Sequence, residues 1–244
     1  MDGQWVAVTG GGSGLGRAVC LGIAAEGGSV VIIDRNEKAA ERTVADVQAF
    51  GGQAQSVIGD ITTQESSSRL VADTISKAGG RLHGLCNCAG VYPRRPILGI
   101  SDADWDFSFA VNVRGLYGVS AAVIRHMQSV GGGRIVNVAS IDALKAHPKN
   151  CHYAAMKAAV VSLTKSMGLA FAPDNILING VAPAGIATEN AVAAGIIGEL
   201  ASESALGRAA EPEDVANVIV FLLSNKNRYM VGETVAISGG YFVA

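Results

Sequence analysis

The 244 residues suffice for one α/β domain with a large core and are too few for two comfortable ones, and 49 % apolar with 16 % charged residues is the composition of a folded unit. A formal net charge of −2 without a long basic run gives no compositional support to nucleic acid or an anionic membrane surface, so a small molecule is the expected partner. The opening "MDGQWVAVTG" lacks a charged and then apolar leader and no apolar run reaches spanning length, so a cytoplasmic protein is expected.

The first apolar run, "WVAVTG", leads into "TGGGSGLG", Thr9 to Gly16. Glycines there let backbone pass close to a pyrophosphate while the following helix offers free N–H groups and the positive end of its dipole, which makes Gly10, Ser13, Gly14, Leu15 and Gly16 candidate dinucleotide contacts. A tight strand-to-helix turn would show the same letters. The second run, "SVVIID", ends in Asp34, 18 residues beyond Gly16, near the spacing at which an acid accepts hydrogen bonds from the adenosine ribose. A carboxylate repels a 2′-phosphate, so NAD is expected over NADP, with Arg35 or Arg17 able to soften the preference.

The third run, "AQSVIGD", ends in Asp60, with Ile61 next, at the expected adenine edge; the fourth, "LHGLCN", ends in Asn87, with Ala89 and Gly90 following. Cys86 and Cys88 fall two apart and share a strand face, and "CNC" lacks metal-ligand spacing, so these two, Cys20 and Cys151 read as buried free thiols and no metal is expected. "GRIVNVAS", "ILINGVA" and "ETVAIS" complete a β-α-β rhythm. Runs apolar on both faces suit parallel strands covered by helices, so the fold predicted is a doubly wound α/β sheet of about seven strands, a single domain over 1–244 with ligands at the strands' carboxyl ends. Capping patterns at Thr62 to Glu65 and Ser101 to Asp104 and Pro212 in "EPED" mark helix starts, and the pairs Gly51-Gly52 and Gly79-Gly80 and the run Gly131 to Gly133 mark stops.

"YAAMK" places Tyr153 and Lys157 four apart, on one face of a helix, so the ammonium can sit near the phenol or near something both of them touch. An ammonium about 4 Å from the phenolate favours it by roughly 4 kcal/mol at an effective dielectric of 20, about three pKa units, enough for proton exchange near neutral pH. Ser140 closes the strand "NVAS" 13 residues earlier and can donate to a substrate oxygen that Tyr153 also reaches, and Asn112 adds an amide within an apolar helix.

With these residues in this order the sequence resembles the short-chain dehydrogenase/reductase family over nearly its whole length: "TGGGSGLG" is similar to the family's cofactor turn, "NCAG" to its alanine-glycine segment, and Asn112, Ser140, Tyr153 and Lys157 to its active-site set. The length and layout are similar to the 3-oxoacyl-acyl-carrier-protein reductases. The resemblance implies a Rossmann-like fold with Tyr153 as general acid/base, Ser140 holding the reacting oxygen, Lys157 on the nicotinamide ribose and Asn112 holding a water. It implies nicotinamide contacts at Pro183, Ile186 and Thr188, and a homotetramer. Cys88 stands where the family often has asparagine, and Ala184 where it usually has glycine.

The apolar segment 184–206 fits a substrate lid, and the polar letters Arg94, Arg95, Asp142, Lys145, His147, Asn150 and His152 suggest a polar substrate, such as a hydroxylated ring. Neither histidine is needed for catalysis beside Tyr153. The expected activity is NAD-linked interconversion of a secondary alcohol and a ketone. The alternatives are an NADPH-linked 3-oxoacyl-acyl-carrier-protein reductase, against which Asp34 argues, and an NAD-binding sensor without turnover.

Overall fold

The computed structural model describes residues 1–148 and 150–243. Its strands are β1 (Trp5–Thr9), β2 (Ser29–Asp34), β3 (Ala54–Ile58), β4 (Gly84–Asn87), β5 (Gly133–Val138), β6 (Ile176–Pro183) and β7 (Thr234–Ile237). Each of the seven apolar runs therefore contains one strand. All pair in parallel, in the order β3-β2-β1-β4-β5-β6-β7. The chain winds outward from β1 to β3 and then returns to place β4 on the other side of β1, so a crevice opens at the carboxyl ends of β1 and β4.

The helices are α1 (Gly14–Ala25), α2 (Glu37–Ala49), α3 (Gln64–Lys77), α4 (Asp102–Phe109), α5 (Leu116–Val130), α6 (Cys151–Phe171), α7 (Glu189–Ala193), α8 (Ile197–Ser202) and α9 (Pro212–Leu223). Strand alternation sorts the core into two layers. Val6, Val8, Val30 and Ile32 pack with Val19 and Ile23 of α1 and Ile219 of α9 on one face. Ala7, Val31, Ile33 and Ile135 pack with Leu70 of α3, Val123 of α5 and Val160 of α6 on the other. The Rossmann-like, doubly wound prediction holds.

A π-helical turn, Ala110–Gly115, joins α4 to α5, making one continuous helix from Asp102 to Val130. At 29 residues it is long and apolar enough to cross a membrane, which the letters read as a run did not suggest; 61 % of its apolar window is buried within the protein, as befits a core helix. Ser101 and Asp104 cap α4 reciprocally, and Pro212 opens α9. The cap of α3 is Thr63, one residue later than expected, because the Asp60 carboxylate accepts from the Thr62 N–H at 2.7 Å and holds Thr62 in a turn outside the helix. Gly51, Gly79 and Gly131 adopt positive φ after their helices.

Candidate active site

The glycine-rich turn is locked to both flanking strands. Thr9 Oγ1 accepts from the N–H groups of Cys88 and Ala89, each at 3.1 Å, joining the ends of β1 and β4. A Cβ on Gly10 would come within 2.9 Å of Ala89 Cα, and one on Gly16 would overlap the Gly10 carbonyl, so both positions demand bare backbone. Asp34 accepts from Gly12 N–H at 3.0 Å and from Asn36 N–H at 2.9 Å, tying the turn to the end of β2. Cys88 thus leaves the β4 turn intact. Cys20 and Cys86 are buried, whereas Cys88 and Cys151 are only half-buried.

From this turn a cleft of about 1020 Å³ runs across the carboxyl edge of the sheet. Gly10, Ser13, Gly14, Leu15 and Gly16 line one wall, with Asp34, Arg35, Asp60 and Ile61 at its end. Ala89, Gly90, Ser140, Tyr153 and Lys157 line the middle, and Pro183, Ile186 and Thr188 the opposite side. Thr188 caps α7 through Ala191 N–H at 3.3 Å, and its methyl lies against Gly14. Ala184 keeps an ordinary negative φ, since Asn175 is the one non-glycine residue with positive φ among those described, and its N–H continues the β6–β7 ladder to Ile237 at 3.0 Å.

Two expected residues stand outside the lining. Asn87 was expected on the cofactor rim, but its side chain points under the cleft, where its amide donates to Ser120 Oγ and Asn137 Oδ1, both at 2.8 Å. Asn137 in turn donates to Thr164 at 2.9 Å, so Asn87 belongs to a buried ladder that braces β4 against β5, α5 and α6. Asn112 lies in the π-helical turn behind Gly90: its amide nitrogen donates to the carbonyls of Val91 and Ser108, each at 3.1 Å, and its oxygen accepts from Val91 N–H at 3.2 Å. The amide that a helix interior leaves unpaired is here satisfied by backbone. A Cβ on Gly90 would stand 2.9 Å from Asn112 Oδ1 and 3.5 Å from Lys157 Nζ.

Lys157 is 4 % exposed, and burial lowers its pKa to about 8. Its ammonium donates to the Val138 carbonyl at 2.8 Å and lies 5.6 Å from the Tyr153 ring centroid. The two side chains thus share one face, as the spacing predicts, and the ammonium's hydrogen bond goes to the backbone. Burial pushes the Tyr153 phenol up, the Asp142 charge pushes it further, and the Ser140 hydroxyl works in the opposite direction. In the protein alone, desolvation therefore outweighs the lowering expected from Lys157.

The far wall holds residues that no motif marked. The Tyr92 ring meets the Tyr153 ring edge to face, centroids 4.5 Å apart, and its hydroxyl lies 3.3 Å from His147 Nε2. Arg94 stacks over Tyr92 and reaches Glu199 of α8 at 3.5 Å, and Lys145 hydrogen-bonds the Tyr241 hydroxyl. Asp142, His147, Glu203 and Tyr241 also face the cleft. Arg95 and His152 do not: Arg95 pairs with Asp104 at 3.0 Å, and His152 is buried against Trp105. Asn150 is likewise fully buried.

A family model described as Enoyl-(Acyl carrier protein) reductase matches residues 10–242. The chain belongs to the short-chain dehydrogenase/reductase family. It is 36 % identical over 240 residues to a cyclopentanol dehydrogenase of Comamonas sp. (strain NCIMB 9872), covering 97 % of this chain and 96 % of that one. Among solved structures it is similar to an NAD+-bound xylitol dehydrogenase (TM-score 0.93, 27 % identity, 98 % and 99 % of the two chains). It is also similar to the L-sorbose reductase of Gluconobacter frateurii complexed with NADPH and L-sorbose (TM-score 0.94, 27 % identity, 100 % and 98 %). Membership makes this protein an oxidoreductase acting on CH–OH groups with a nicotinamide cofactor.

Proposed function

We propose that the protein interconverts a secondary alcohol and a ketone on a small, polar molecule, with NAD(H) as hydride carrier and Tyr153 as general acid/base. The observation that carries this reading is the meeting of Ser140, Tyr153 and Lys157 in the cleft that the glycine-rich turn opens. The residues present fit a nicotinamide dinucleotide. Bare backbone at Gly10 and Gly16 and the start of α1 suit the pyrophosphate, and Asp34, flanked by Arg35, suits the ribose hydroxyls. Asp60 and Ile61 suit the adenine side, Ala89 and Gly90 close backbone approach, and Pro183, Ile186 and Thr188 the nicotinamide end.

When bound, the nicotinamide supplies a hydride to the carbonyl carbon or takes one from the carbinol carbon. Ser140 donates a hydrogen bond to the substrate oxygen, and Tyr153 gives that oxygen its proton in reduction or removes it in oxidation. Lys157 holds the nicotinamide ribose, and its positive charge favours the phenolate that oxidation needs. Asn112, its side chain spent on Val91 and Ser108, supports the Gly90–Val91 wall of the cleft beside Lys157. The Asp34 carboxylate opposes a 2′-phosphate, which supports NAD over NADP.

The named activities of the similar proteins, on cyclopentanol, xylitol and L-sorbose, support hydroxylated small substrates, as do Arg94, Asp142 and His147 in the cleft wall. In this reading the chain is one catalytic domain and 184–206, carrying α7 and α8, is its lid. A homotetramer is supported by the exposed aromatic side chains of Trp105, Phe109 and Tyr117, and a cytoplasmic site by four free thiols. The test follows reduced-nicotinamide absorbance with NAD or NADP and a panel of secondary alcohols, polyols, sterols and acyl thioesters. NAD-linked turnover of the alcohols or polyols that Tyr153→Phe abolishes is expected; tight NAD binding with no turnover would point to a sensor.

A further inference from the structure

Asp142 differs from the other carboxylates that the fold places at turns. Asp34, Asp60 and Asp104 each accept backbone N–H groups, and Asp214 pairs with Arg208, so each has donors supplied by the chain itself. The Asp142 side chain is 10 % exposed and faces the cleft, yet among the described residues nothing donates a hydrogen bond to its carboxylate. The nearest cationic candidate, His147 Nε2, stands at 3.8 Å, beyond hydrogen-bond length, and that same nitrogen is engaged by the Tyr92 hydroxyl at 3.3 Å. A carboxylate nine-tenths buried whose oxygens open only into the cleft takes its donors from there, from water or from a bound molecule.

Its position says where that donor must be. Asp142 follows Ser140 by two residues, with its own N–H on Ser140 Oγ at 3.2 Å, and its charge is felt by both Tyr153 and Tyr92. The open acceptor therefore lies at the reacting end of the cleft, beside the oxygen that Ser140 and Tyr153 would hold. Arg94 and Lys145 bring positive charge to Asp142 and Glu203 brings negative, so its charge is already partly offset and a neutral hydroxyl suffices as the missing donor.

Resting on the redox reading above, we infer that Asp142 accepts a hydrogen bond from a second hydroxyl next to the reacting carbon, so that the cleft selects vicinal diols and hydroxyketones over mono-alcohols. A hydroxyl donated to Asp142 also draws off some of the charge that opposes ionisation of Tyr153, so the same contact that binds substrate eases proton transfer.

The test compares kcat/KM of the full-length enzyme on matched pairs: cyclohexanol against cis- and trans-1,2-cyclohexanediol, 2-butanol against 2,3-butanediol, and 2-aminocyclohexanol as the cationic analogue. The diols are expected to exceed their mono-alcohols by roughly tenfold or more, the worth of a hydrogen bond to a charged group. Asp142→Ala is expected to collapse that ratio, and Asp142→Asn, which keeps an acceptor without the charge, to restore part of it. Circular dichroism and NAD binding report whether each variant is folded, and the Asn variant decides the matter if the Ala variant is not. Turnover of mono-alcohols with no diol preference, a ratio unchanged in Asp142→Asn and Asp142→Ala, or a preference for the amino alcohol overturns this assignment alone. Absence of nicotinamide-linked turnover on every compound overturns the redox reading and this inference with it.

Discussion

Lys157 Nζ is bound to the main-chain oxygen of Val138, 2.8 Å away, at the last residue of β5. That bond holds the ammonium in a site dry enough to lower its pKa to about 8 from an ordinary 10.5. Between those values the unfolded chain carries more protons than the folded protein, so the stability linked to Lys157 rises as pH climbs through 8 toward 10.5. Lys157→Met removes the titration. The variant is expected to be more stable than the wild type at pH 7 by on the order of 3 kcal/mol, with the gap closing toward pH 10.5. Denaturant titrations of both proteins at pH 7, 8, 9 and 10 check this; a gap independent of pH would contradict it.

Removing the phenol tests a different link. Tyr153→Phe keeps the ring that packs against Tyr92, so the wall of the cleft survives. The expected loss in kcat is roughly a hundredfold to ten-thousandfold, the usual worth of a placed acid/base group, with NAD affinity within about twofold of wild type. Steady-state rates and fluorescence titration of NAD read the two quantities separately.

Gly90→Ala puts a methyl 2.9 Å from Asn112 Oδ1 and 3.5 Å from Lys157 Nζ. Overpacking of this kind costs about 1–3 kcal/mol, and here it displaces Asn112 and Lys157 at once. A melting temperature a few degrees lower is expected together with a kcat reduced by roughly tenfold or more. A variant with lowered stability and unchanged kcat would show that Asn112 and Lys157 tolerate displacement.

Asp34→Ala tests cofactor choice. The substitution removes the acceptor of two backbone N–H groups and the charge proposed to oppose a 2′-phosphate. The NADP-to-NAD ratio of kcat/KM is expected to rise by roughly tenfold, about 1.4 kcal/mol, while NAD KM increases. Equal losses with both cofactors would place Asp34 in support of the turn alone.

The architecture was legible because fully buried parallel strands need apolar residues on both faces, and "SVVIID" or "GRIVNV" can satisfy little else. The glycine-rich turn was legible for a similar reason: Gly16 stands where any side chain would strike Gly10. Directions at strand ends were harder. Asn87 is in register with Thr9, and nothing local tells that Asn87 would turn beneath the sheet edge toward Ser120 and Asn137. Polar loop letters were equally ambiguous, since Arg94 and Arg95 are neighbours of one type, yet one reaches Glu199 across the cleft and the other Asp104 on α4. Tyr92, Glu199, Glu203 and Tyr241 meet only through tertiary folding, so no spacing could have announced them. The i, i+4 rule put Tyr153 and Lys157 on one face, but it says nothing of a competing acceptor such as Val138.

Thr9 also constrains the order of events during synthesis. Its hydroxyl clamps N–H groups 79 and 80 residues later in the chain, across the point where β4 is inserted beside β1. A nascent chain that has released β1 to β3 possesses the glycine-rich turn without its clamp, and β4 must close a loop of that length before the turn is fixed. Affinity for a dinucleotide is thus a property acquired late in folding. An N-terminal fragment ending before β4 should bind NAD far more weakly than the whole chain, although it carries every glycine of the turn.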